Sequence, residues 1–94
     1  MTPAAFKAKL SNADPPRTLN PALKALWWAK KGNWDTAHRL VMDETSRAAA
    51  WVHAYLHRVE GDEDNARYWY RRARRKPATG GFEAEWERLV GELL

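Results

Sequence analysis

The chain has 94 residues, no cysteine, six tryptophans and a formal net charge of +4. That length holds one domain and excludes two independent cores or a large enzyme barrel. Without cysteine there is neither a disulfide framework nor a thiolate zinc site, and no stretch reads as a signal peptide or approaches the ~18 apolar residues of a membrane span; the expectation is a soluble, cytoplasmic protein with no membrane partner.

Helix punctuation is clear along the chain and strand signals are scarce. Thr2-Pro3 starts a short helix to about Leu10, and Asp14-Pro15-Pro16 marks a linker, so residues 1–19 read as an N-terminal arm. Asn20-Pro21 supplies an N-cap followed by Pro at the first helical position, where its missing N–H costs nothing. That helix runs to Lys31 and stops at Gly32. Asn33 caps the next helix, from Trp34 to about Asp43. Thr45 or Ser46 caps a longer helix ending near Glu60. Gly61-Asp62 repeats the turn and cap, and a further helix covers Glu63 to Lys76, where Pro77 stops it. After the Thr79-Gly80-Gly81 loop, the helix from Phe82 to Leu94 places Phe82, Trp86, Leu89, Val90, Leu93 and Leu94 on one apolar stripe, with Glu83, Glu85, Glu87 and Glu92 on other faces.

The middle of the chain repeats. A shift of 29 residues lays Ala25 on Ala54, Gly32 on Gly61, Asn33 on Asp62, Asp35 on Asp64 and Ala37 on Ala66. The glycines permit a left-handed C-cap, the Asn and Asp accept from free N–H groups of the following helix, and the alanines allow close helix approach. In the second copy Ala54, Gly61, Ala66, Tyr70, Ala73 and Pro77 form a pattern that resembles a TPR-like helical hairpin, and the stretch from Asp64 to Ala73 is similar to short TPR-related repeats. The likeness covers residues 21–77 and is weaker in the first copy, where Val41 and Glu44 stand for the aromatic and the second Ala. The string from Trp51 to Asp62 also resembles small uncharacterised bacterial proteins, a likeness that implies no activity. What the resemblance implies is an all-α domain over 20–94, with hairpins at 20–45 and 46–77 and the helix at 82–94 capping the stack.

The helix around residue 53 carries the most chemistry. Val52, Tyr55, Leu56 and Val59 share an arc of about 100° that reads as core, whereas His53, His57 and Glu60 share a separate arc of about 60°. Imidazole and carboxylate on one stripe suit a metal ion, or a general acid/base pair with Glu60 orienting His57. The same stripe also suits a polar seam between two helices. A metal needs three or four ligands, and only His38, Asp35 or Glu63 is placed to complete the set. No H-E-x-x-H, P-loop or Gly-rich dinucleotide turn is present. The sequence therefore specifies no catalytic residue, no metal and no cofactor, and points away from an enzyme.

Trp51, Tyr55 and Arg58 lie on the side that lines the concave groove in a TPR-like hairpin, and aromatics with Arg anchor many interfaces. Charge is laid down in blocks: residues 1–31 sum to +5, 32–65 to −4, 66–76 to +6 and 77–94 to −3. Such alternation suits internal pairing or a partner of mixed charge better than the uniform face of a nucleic-acid binder. In the basic block Ala66, Trp69, Tyr70 and Ala73 form an inward stripe over which the arginines fan. The leading expectation is a small protein-binding or scaffolding module that uses Trp51, Tyr55, Arg58, Arg67 and Arg71, with a protein partner or self-association. The alternatives are a small-molecule or metal site at His53, His57 and Glu60, and nucleic-acid binding through residues 67–76.

Overall fold

Five side chains set where helices begin. Thr2, Asn20, Asn33, Ser46 and Asp62 each accept a hydrogen bond from the backbone N–H three residues on, satisfying a donor that the first helical turn leaves free. The computed structural model describes residues 1–94, and the chain is entirely helical: α1 (Pro3–Ala8, extended by a 3-10 turn at Lys9–Ser11), α2 (Pro21–Lys30), α3 (Trp34–Val41), α4 (Arg47–Glu60), α5 (Glu63–Ala73) and α6 (Phe82–Leu93). Gly32 and Gly61 close the turns after α2 and α4 at φ 85° and 90°, a region that a Cβ disfavours. No helix is long and apolar enough to cross a membrane.

The helices pair as α2 with α3 and α4 with α5, and α4 sits centrally, touching α2, α3, α5 and α6. Its burial is accordingly almost continuous from Ala49 to His57. Expected core and observed core differ at the edges of this helix. Val59 is exposed, and His53 and His57 are buried instead. The N-terminal arm is likewise part of the core. Phe6 is fully buried with its ring 5.9 Å from that of Trp86, and Trp27 Nε1 donates to the Lys9 carbonyl, which ties α1 and its 3-10 turn to α2 and α6. Burying an aromatic ring of this size is worth roughly 1.5–3 kcal/mol.

One boundary and one face depart from the sequence reading. α5 ends at Ala73, three residues before the expected Lys76, because Arg74 takes a left-handed conformation at φ 58°. Its N–H and that of Arg75 return to the Arg71 and Tyr70 carbonyls, closing the helix end as a glycine would. The α6 stripe is buried at Trp86, Leu89 and Val90 but not at its start: Phe82 is 47 % exposed, with the Arg58 guanidinium 4.9 Å from its ring centroid, while Glu85 is only 1 % exposed.

Candidate metal centre

All three histidines of the chain meet at one point. His38 comes from the last turn of α3, His53 and His57 from successive turns of α4, so the site bridges the two hairpins. Aromatic walls fix the rings. Trp34, one turn before His38 on α3, stacks on it at 4.8 Å and 9°, and its Nε1 donates to the Leu56 carbonyl at 2.7 Å. Trp34 therefore reaches across to α4. On the other side Trp69 of α5 stacks on His53 at 3.8 Å and 15°. His53 and His57 stack on each other at 4.8 Å, the geometry that one helical turn imposes.

The polar atoms are unevenly served. His57 Nδ1 lies 2.6 Å from Glu60 Oε1, so the ring N–H donates to the carboxylate. A carboxylate behind the far nitrogen is how metal-ligating histidines are usually oriented. His38 Nε2 and His53 Nε2 are 3.0 Å apart, one donating to the other. His53 Nδ1 is buried with no partner. His53 is 3 % exposed and His57 6 %, whereas His38 and Trp34 are half-buried and give the cluster a side toward solvent. Burial, reinforced by the neighbouring His38 and His57, pushes His53 down to about 3. Burial and then His57 lower His38 as well, partly offset by Glu60 and Asp35.

One nitrogen from each histidine lies within 4.8 Å of the other two. A tetrahedral ion with bonds of about 2.0–2.1 Å holds its ligands ~3.4 Å apart, a spacing between the 3.0 Å of the His38–His53 pair and the 4.8 Å outer limit of the set. Three neutral imidazoles suit zinc, copper, nickel or iron rather than calcium or magnesium. His57, Glu60 and Asp62 form a second, overlapping group at the exposed end of α4. Neither cavity of the molecule is lined by a histidine. The cluster is thus set apart from both cavities.

The residues expected to form an aromatic and arginine groove are dispersed. Trp51 and Tyr55 are buried, and the Arg75 guanidinium covers the Trp51 ring at 3.5 Å. Arg58 is held by Glu85 at 3.0 Å and by the Gly80 carbonyl. Arg67 pairs with Asp64 at the surface, and Arg71 is exposed on α5. Trp51 lines one cavity and Arg58 and Arg67 line the other, so no single surface carries the set. The cause is the central position of α4, which leaves it no free face along these turns. Burial also raises Tyr55 to about 12, with Glu83 and Glu85 adding to it.

His38 was legible only as a residue able to complete a ligand set. Glu85 was missed as a buried group, although its angular position beside Leu89 on the border of the α6 stripe was a signal. Comparison with known protein families, with curated protein sequences and with solved structures finds no match.

Proposed function

We infer that this chain is a small helical metal-binding protein, with a divalent transition ion held by His38, His53 and His57 and with Glu60 orienting His57. One observation carries the reading: every histidine in the sequence, drawn from two hairpins, offers a ring nitrogen within 4.8 Å of the others. The unpartnered His53 Nδ1 supports it. A buried ring N–H without an acceptor costs roughly 1–3 kcal/mol, and within the protein no placement of protons and tautomers gives both His53 nitrogens a partner. The TPR-like pattern of residues 21–77 supports a scaffold role for the frame, since the α3–α4 crossing is what carries His38 to His53.

The test is calorimetric titration of metal-free protein with zinc and nickel, alongside thermal melts. One ion per chain is the expected stoichiometry. At a hundredfold excess over Kd the ion stabilises the fold by about 2.7 kcal/mol, which for a domain of this size raises Tm by roughly 10–20 °C. His38→Ala removes the half-buried ligand without opening the core, and binding should fall at least tenfold while the helical spectrum is kept. Unchanged affinity in that variant, or no ion taken up by the wild-type chain, would overturn the assignment.

A further inference from the structure

The larger cavity of the molecule, about 480 Å³, lies between the first turn of α4, the α5–α6 connection and α6. Five cationic side chains line it: Arg47, Arg74, Arg75, Lys76 and Arg88. Arg75 is committed elsewhere, lying 3.5 Å over the Trp51 ring and 2.9 Å from Glu92. The other four make no ion pair with any carboxylate of the chain. Glu85 is the single acid on the wall, and both its oxygens are taken, Oε1 by Arg58 and Oε2 by the Tyr70 hydroxyl. Apart from the Arg75–Glu92 pair, the ion pairs of the chain lie on cations outside the cleft, which leaves it positive. The chain even spends a left-handed residue here: Arg74 at φ 58° ends α5 early and turns the basic run into the cleft wall, where a continued helix would have fanned it over the surface.

We propose that this cleft binds a compact polyanion bearing two or more phosphoryl groups. The volume is that of a small-molecule site and far below what a folded partner buries. Guanidinium forks match phosphoryl oxygens in bidentate fashion, and four unpaired cations call for more than one negative charge. The aromatic face at the floor is already covered by Arg75, so the site reads charge and offers no platform for stacking a base. It is separate from the histidine cluster, since no histidine lines it.

Calorimetry of the full, metal-free chain with inorganic pyrophosphate at low salt tests this, with acetate, a glutamate-rich peptide and a single-stranded oligonucleotide as comparison ligands. Pyrophosphate should bind saturably, one per chain, at least tenfold tighter than acetate, and weaken steeply as salt rises. Arg47→Ala and Arg88→Ala should each lower that affinity at least fivefold, while Arg67→Ala, outside the cleft, should not. His38→Ala should leave pyrophosphate binding unchanged, which keeps this result independent of the metal assignment. No saturable binding, equal affinity in the Arg47 and Arg88 variants, or a tenfold preference for the peptide or the oligonucleotide would overturn the proposal. Retained helical spectra guard against reading a folding defect as lost binding.

Discussion

α4 carries two buried polar clusters on different flanks, and they are completed differently. On one flank Arg58 meets Glu85, whose second oxygen accepts from the Tyr70 hydroxyl, so every charged atom of Glu85 has a partner from the chain itself. On the other flank His53, His57 and His38 are packed between Trp34 and Trp69, yet His53 Nδ1 has none. A buried network that is satisfied internally fixes helix packing, here α4, α5 and α6. One that is left short by a single atom carries the cost of an unsatisfied buried polar group. On the proposed reading the contrast separates a structural cluster from a binding one, and substitutions on each flank sharpen it.

The largest effect belongs to the closed cluster. Glu85→Ala strands the Arg58 guanidinium and the Tyr70 hydroxyl, and breaking a buried pair by removing one partner costs roughly 3–5 kcal/mol. Arg58 keeps some contact with solvent, which puts the expectation at the lower end, about 3 kcal/mol, read as a drop in urea midpoint at unchanged slope. Zinc should still raise the Tm of this variant. If Glu85→Ala unfolded no more easily than wild type, the network would not be what holds α6 to α4.

Acid and alkali should attack opposite flanks. His53 is held down at about 3, below an unfolded value of about 6.5, so the unfolded chain binds its proton first. Stability is then full above pH 6.5 and falls as pH drops toward 3, by up to about 1.4 kcal/mol per unit for this residue, with His38 adding in the same direction. The groups facing His53 are His38 from α3, His57 from its own helix and the uncharged Trp69 from α5, with none of them offering a compensating negative charge. Tyr55 and Tyr70 behave conversely: both are raised, Tyr55 to about 12, so stability is lost as pH climbs from about 10 toward that value. Urea midpoints between pH 7.5 and 5 should fall in the wild type and flatten in His53→Leu. In metal-free protein at pH 8 the same variant should lie within ~1 kcal/mol of wild type, because it deletes an unsatisfied group of similar bulk. A large loss at pH 8 would mean that His53 is satisfied after all.

The sequence made local features readable and left the long-range ones open. Caps at Asn20, Asn33, Ser46 and Asp62 and the glycine turns at 32 and 61 depend on neighbours within four residues, and they stand where the pattern puts them. His53, His57 and Glu60 share a stripe because helical periodicity alone determines it. Their meeting with His38 depends on the crossing of α3 and α4, which no spacing encodes. Glu85 was hidden for a related reason: a carboxylate on the border of an apolar stripe turns inward only if a partner waits there, and Arg58 lies 27 positions earlier. The early end of α5 was unreadable because the residue that breaks the helix is an arginine, a type with no preference for the left-handed region.

That arginine gives the smallest effect, and the one that separates stability from binding. Arg74→Gly removes a Cβ from a position at φ 58° and should stabilise the fold by up to about 1 kcal/mol, less the entropy that glycine loses on folding. It also removes a cation from the cleft. Stability should therefore rise slightly while pyrophosphate affinity falls, by a few-fold, and zinc affinity stays level. Arg74→Ala discriminates further, since it deletes the charge and keeps the strain: its affinity should match the glycine variant and its stability should match wild type. If both substitutions left pyrophosphate binding unchanged, the left-handed turn would serve only to end α5, and the cleft's charge would have to be assigned to Arg47, Lys76 and Arg88 alone.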